Sequence, residues 1–178
     1  MNKVVNEIKR KIREKPWDDY ICIYKRNLLK LIGQLSQEKP KIVILEGCDG
    51  VGKSSVRVLI SNYNGNYFIL ERFTPSIYAY GKLYNRDIDL TYIAEVESAL
   101  LRSFRVCPIF LFCSIDELYK RFKRGKHVVT LKKYDLMAIQ DEMKKFIDDY
   151  SLLNWKKIDN TSRSPEKTFK MIKEVYKL

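Results

Sequence analysis

The chain has 178 residues, with 34 Lys+Arg against 22 Asp+Glu for a formal net charge of +12, and 46% of it is hydrophobic. That apolar content excludes a disordered chain, and seven Gly and five Pro are too few for a collagen-like or linker-like one. No apolar run of about 18 residues is available to span a bilayer, and the N-terminal stretch MNKVVNEIKRKIREK lacks the apolar core of a secretory signal, so a cytoplasmic protein without a membrane partner is expected.

Residues 1 to about 38 read as a lysine-rich, helical N-terminal extension. A first helix stops near Pro16, because proline disfavours the helical conformation of its predecessor. A second carries Ile21, Tyr24, Leu28, Leu31, Ile32 and Leu35 at the spacing of an apolar stripe. Such a stripe is expected to pack on the rest of the chain rather than to form a partner-binding or nucleic-acid-binding arm. Residues 39–178 form the second region. Pro40 breaks the helical pattern, and the run 41–46 (KIVILE) has the continuous apolar character of a parallel strand buried on both faces. It leads into the glycine-rich segment 47–55 and a helix from Ser54 to about Asn62.

The run 67–70 predicts a second strand, ending at Glu71 and Arg72. A helix is expected over 90–104 with Ile93, Val96, Leu100 and Leu101 inward, and a third strand over 108–113. Ser114-Ile115-Asp116-Glu117 matches a capping box, in which serine and glutamate reciprocally satisfy free backbone donors. That helix ends in the basic stretch 121–126. A longer helix over about 135–150 turns Ile139, Met143, Phe146, Ile147 and Tyr150 inward, a short last strand follows at 155–158, and Ser164-Pro165-Glu166 opens the C-terminal helix. Strands alternating with helices predict an α/β domain with a small parallel sheet flanked by helices. Cys22, Cys48, Cys107 and Cys113 lie in or beside apolar runs without CxxC spacing and read as buried thiols; one histidine, His127, argues against zinc chemistry and a Ser-His-Asp triad.

Residues 47–54 satisfy G-x-x-x-x-G-K-[ST], placed after a strand and before a helix. The glycines let the backbone curl so that its amides face inward, and the helix adds the positive end of its dipole, making an anion cradle. Gly47, Asp49, Gly50, Val51, Gly52, Lys53, Ser54 and Ser55 are therefore the expected binding residues for the phosphates of a nucleotide. Lys53 is placed to reach the β- and γ-phosphates and Ser54 to ligate Mg²⁺. The chain lacks the NKxD-type guanine signature of a GTPase, and its third strand closes on Cys113 and Ser114 rather than on the acid of a motor ATPase. Glu71 and Arg72 stand instead at the carboxyl end of the second strand, the edge where open α/β sheets bind ligands. Phosphoryl transfer needs positive charge on a mobile segment as well, for which Arg121, Arg124, Lys126, Lys132 and Lys133 are candidates.

These residues resemble the thymidylate kinase and deoxynucleoside kinase group of P-loop kinases. The likeness rests on 44–55 (ILEGCDGVGKSS), on 71–81 (ERFTPSIYAYG) beside that group's Asp-Arg-Tyr stretch with a downstream Ser and Ala-Tyr, and more weakly on 114–125 and 157–160, and it covers about 41–178. It implies a three-layer P-loop kinase fold that uses ATP and Mg²⁺, with Asp49 near the acceptor's sugar and Arg72 on the acceptor. Ser76 and Tyr80 are implied as further acceptor contacts, and Glu71 stands where the group has Asp, orienting acceptor or magnesium waters. Where that loop sometimes carries a catalytic arginine this chain has Val51, which transfers the role to Arg124 and secondarily to Arg121.

Only 18 residues separate Lys53 from Arg72, where the group inserts another strand and helices that grip the acceptor base. Tyr78, Tyr80, Tyr84 and Arg86 with the helix 90–104 are candidates to replace it by stacking, or else are core. Glu95 and Glu97 are further acid candidates, read as solvated helix residues. The expected activity is γ-phosphoryl transfer to a nucleoside monophosphate or deoxynucleoside. Two alternatives stay open: a polynucleotide kinase acting on a DNA or RNA hydroxyl, which would use the +12 charge, and a nucleotide-binding regulatory protein without transfer activity.

Overall fold

The computed structural model describes residues 39–63, 67–125 and 130–177; the helical extension expected over 1–38, Cys22, Lys126 and His127 lie outside these residues. The chain divides at Pro40, and every element below belongs to the unit Lys41–Leu178. In chain order these are β1 (Lys41–Glu46), α1 (Lys53–Asn62), β2 (Tyr67–Glu71), α2 (Thr74–Leu83), α3 (Leu90–Ser103), β3 (Arg105–Phe112), α4 (Ile115–Arg124), α5 (Lys133–Asp149), β4 (Lys156–Asp159) and α6 (Pro165–Tyr176).

The four strands form one parallel sheet in the order β2-β1-β3-β4. Leu45 lies opposite Glu71 on one side and Ile109 on the other, while Phe112 lies opposite Asp159. The chain leaves β1 toward β2 and returns to β1's other side as β3, so the strand order reverses at β1. In open parallel sheets this reversal opens a crevice beyond the carboxyl ends of the strands, and β1 delivers the glycine-rich segment there.

Ile42, Val43, Ile44 and Leu45 of β1 are almost wholly buried, as are Ile109, Phe110 and Leu111 of β3. Burying each such side chain is worth roughly 1.5–3 kcal/mol, which is why these two runs fix the centre of the sheet. Helices flank it, an arrangement compatible with three layers: α1 packs against α6 and α2 against α5. Tyr63 and Phe169 meet edge to face at 5.6 Å between the first pair. Tyr78 meets Phe146 at 5.2 Å between the second.

Several expectations need correction. No side-chain hydrogen bond caps α4 at Ser114. The backbone amide of Ser114 donates to Thr161 Oγ1, and the Glu117 carboxylate takes Arg121 four residues on, so both partners of the expected capping box are engaged elsewhere. Tyr150 and Leu101 are 42% and 40% exposed rather than inward, Tyr150 lying just past the end of α5 and Leu101 in the last turn of α3. Glu97 is fully buried rather than solvated. Strand β3 begins three residues before Pro108, and α2, where no helix was expected, fills 74–83 with proline in its first turn. Gly81 in that helix sits where a Cβ would come 2.9 Å from the Ile88 side chain. The cap at Ser164 is as expected, its side chain accepting from Lys167 N.

Candidate functional site

Between β1 and α1 the chain makes a tight turn in which Gly47, Gly50 and Gly52 all have positive φ, 136°, 85° and 104°. The position of Gly47 admits nothing larger: a Cβ there would lie 2.2 Å from the Leu111 carbonyl oxygen of β3. Gly52 precedes the first residue of α1 in the left-handed conformation, without a side-chain cap and with no acidic residue in the helix's first turn. The first-turn amides of α1 thus carry no carboxylate or hydroxyl of their own, and the helix dipole is uncompensated there.

Lys53 folds back over this turn. Its Nζ donates to the Gly47 carbonyl at 2.6 Å and the Cys48 carbonyl at 2.9 Å, and the residue is 6% exposed. Burial pushes its ammonium below the ordinary lysine range, opposed by the carboxylates of Asp49 and Glu46. An ammonium has three hydrogens, and two are accounted for by these carbonyls. Next to it, Ser54 Oγ donates to Glu71 Oε2 at 3.1 Å, and Arg57, one turn along α1, pairs with the other oxygen of Glu71. Ser54 and Ser55 are exposed on α1.

On the other side of the turn Asp49 gathers the acceptor candidates. Arg72 pairs with its Oδ1, and Tyr80 OH donates to its Oδ2 at 3.1 Å. Burial would raise the Asp49 carboxyl, but Lys53 and Arg72 overcome it and hold the group below its usual value. Burial likewise lowers and Asp49 raises the Arg72 guanidinium, with a net rise. Arg72 reaches this position through a left-handed backbone, φ 67°, which costs a non-glycine residue about 1 kcal/mol or more. Its amide, donating to the Leu45 carbonyl at 3.1 Å, ties that conformation to the sheet. Its guanidinium lies 5.4 Å from the Tyr80 ring centre.

Ser76, the fourth acceptor candidate, is turned elsewhere. Its Oγ and its backbone amide donate to Glu46, at 2.7 and 3.2 Å. Glu46 also accepts from the amides of Phe73 and Gly47. This fully buried carboxylate joins the glycine turn to the first turn of α2, and burial raises its pKa above the ordinary 4.5 although hydrogen bonds from Ser76, Phe73 and Gly47 and the Lys53 charge oppose the rise. A charge closing an otherwise apolar run was its one sequence signal. Glu97 plays a matching part at the far side of α2: it accepts from Thr74 Oγ1, Ser151 Oγ and Leu152 N.

Val51 contributes backbone rather than side chain, for its side chain is buried and its carbonyl accepts from Asn160 Nδ2 at 2.7 Å. Asn160, itself held by Thr168 Oγ1, connects the turn to the loop after β4, a role no sequence pattern announced. Beside it Asp159, Thr161, Ser162, Arg163 and Lys167 line a cavity of about 300 Å³. Arg121 donates to Glu117 Oε1 at 2.7 Å and to the Thr161 carbonyl at 2.9 Å, so it braces that loop. Arg124 is exposed at the end of α4. Lys133 pairs with Asp116, and Lys132 lies over the Tyr134 ring at 5.7 Å. Tyr78 belongs to the core, whereas Tyr84 is 43% exposed. Burial raises the Cys48 thiol to about 12 and the Cys113 thiol to about 11, so neither is a nucleophile at neutral pH.

Among the described residues no group of three or more His, Cys, Asp or Glu is placed to hold a metal ion, and no helix is long and apolar enough to cross a membrane. Compared with models of protein families, with curated proteins and with solved structures, the chain matches none.

Proposed function

We propose that the chain is a P-loop phosphotransferase that moves the γ-phosphoryl group of ATP, with Mg²⁺, to a nucleoside or nucleoside monophosphate. One observation carries the reading: a turn of three left-handed glycines opens an uncapped helix, with a lysine ammonium folded over it and an Asp49–Arg72–Tyr80 cluster beside it. The amides and the helix dipole suit a phosphate chain, and the Lys53 ammonium, two of whose three hydrogens go to the turn's carbonyls, has one left for a phosphate oxygen.

Magnesium fits the donors present. Ser54 Oγ and the Glu71 carboxylate converge at 3.1 Å, and this ion prefers one or two protein oxygens, completing its shell with phosphates and water. When bound it neutralises charge on the β- and γ-phosphate oxygens. Arg57 keeps Glu71 turned toward Ser54. Asp49 and Arg72 hold the acceptor against the phosphate-side turn, and Arg124 supplies positive charge from the exposed end of α4, since Arg121 is engaged with Glu117 and Thr161. Much of such catalysis is positioning and charge stabilisation rather than covalent chemistry.

The test is transfer from γ-labelled ATP to a panel of nucleosides, their monophosphates and short oligonucleotides. The reading expects one class to be labelled, with loss of about a hundredfold or more in Lys53→Ala and in Arg124→Ala. ATP binding without label transfer to any acceptor would make the chain a nucleotide-binding regulator instead.

A further inference from the structure

The Asp49–Arg72–Tyr80 cluster does not end at Tyr80. The Tyr84 ring stands one helical turn on, its centre 6.4 Å from that of Tyr80 and its plane within 24° of parallel. Arg86 then lies over Tyr84 at 5.3 Å, as Arg72 lies over Tyr80 at 5.4 Å. Guanidinium, ring, ring and guanidinium thus form a column that starts at the phosphate-side turn and ends on the surface. The backbone holds it: Tyr84 N donates to the Tyr80 carbonyl at 3.0 Å and Arg86 N to the Gly81 carbonyl at 2.8 Å. These bonds fix where the main chain of Tyr84 and Arg86 leaves α2, and the ring itself is held by its contacts with Tyr80 and Arg86.

A closed nucleoside pocket has no use for the outer half of this column. Successive aromatic faces flanked by arginines are what single-stranded nucleic acid uses, each base lying on a ring and each backbone phosphate meeting a cation. The net charge of +12 complements the same ligand.

Resting on the phosphotransferase reading above, we infer that Tyr84 and Arg86 form a second-nucleotide subsite, so that the acceptor nucleoside is the terminal residue of a single-stranded oligonucleotide rather than a free one. The terminal nucleotide lies at Asp49, Arg72 and Tyr80, and its neighbour's base takes the face of Tyr84 that Arg86 covers in this structure, Arg86 moving off the ring onto the linking phosphate. In the transfer the acceptor's terminal hydroxyl oxygen bonds to the γ-phosphorus, the bond from that phosphorus to the β–γ bridging oxygen breaks, ADP leaves and the hydroxyl proton passes to water.

The experiment measures binding of oligothymidylates of one, two, four and eight residues by competition with a fluorescein-labelled octamer, with MgATP binding measured calorimetrically on the same samples. The wild type is expected to gain about tenfold in affinity from one residue to two. Tyr84→Ala should reduce that gain to within about twofold and Tyr84→Phe should restore it, which separates stacking from misfolding. Arg86→Ala should flatten the slope of log K against log salt by about 0.7, the value of one single-strand phosphate contact. Affinity independent of length, or a gain that survives Tyr84→Ala, overturns the subsite. If MgATP still binds in that case, the phosphotransferase reading stands without it, and if MgATP also fails to bind, both fall.

Discussion

The two sides of the crevice at the end of β1 are built from different materials. On the side of residues 47–54 the surface is backbone: three left-handed glycines, the first-turn amides of α1, and a Lys53 ammonium resting on two carbonyls. On the side of α2 it is side chain: Glu46 gripping Phe73 and Ser76, and Asp49 gripping Arg72 and Tyr80. A backbone surface works because atoms are missing from it and fails when one is added. A side-chain surface fails when one is taken away.

The contrast is sharpest at Gly47. Gly47→Ala inserts a Cβ 2.2 Å from the Leu111 carbonyl oxygen at a φ of 136°, and the loss of stability, read by denaturant unfolding, should be about 3–5 kcal/mol. A loss under about 1 kcal/mol would mean that the turn yields easily and is no rigid cradle.

On the other side, Glu46→Ala leaves buried amides and the Ser76 hydroxyl without an acceptor and should cost about 2–4 kcal/mol. Its pH dependence has a definite sign. Burial raises the folded-state pKa of Glu46 above 4.5, so its contribution is complete below that pH and is lost as pH rises through the raised value. Glu46→Gln removes this titration. Its stability relative to wild type should therefore improve as pH climbs from about 4.5 toward neutrality; a parallel pair of stability curves would show that the carboxylate is ionised in the fold at no cost.

Smaller effects separate the acceptor contacts from the fold. Arg72→Gly relieves the left-handed backbone while deleting the guanidinium, so unfolding should shift by less than about 1 kcal/mol while the acceptor KM rises about tenfold. Equal losses in stability and KM would make Arg72 a structural residue. Tyr80→Phe keeps the ring beneath Arg72 and deletes only the hydrogen bond to Asp49, an expected fivefold rise in acceptor KM, or about 1 kcal/mol, with ATP affinity unmoved.

The same difference in materials decides what the sequence could reveal. A backbone site needs particular residues at a fixed local spacing, and Gly47, Gly52, Lys53 and Ser54 carry that spacing within eight residues. Apolar runs likewise announced β1 and β3, because a strand buried on both faces leaves no polar option. The side-chain site depends on partners far apart in the chain: Glu46 meets Ser76 thirty residues on, and Asn160 meets Val51 across 109. Ser76 was legible as polar, yet its direction was not, and it faces Glu46 rather than the crevice. Helix α2 escaped notice because its sequence, TPSIYAYGKL, mixes aromatics and a glycine without a helical apolar period, and packing on α5 determines it instead. Ser114 and Glu117 show the converse failure, where a local motif was present but Thr161 and Arg121 claimed its two halves.

If the turn at 47–54 grips a nucleoside triphosphate, Lys53 must hold it there. Calorimetric titration of the wild type and Lys53→Ala with MgATP tests it most directly. One site per chain is expected in the wild type, weakened at least tenfold in Lys53→Ala with the unfolding transition retained. An absence of heat in the wild type, or equal affinity in the two proteins, would contradict it.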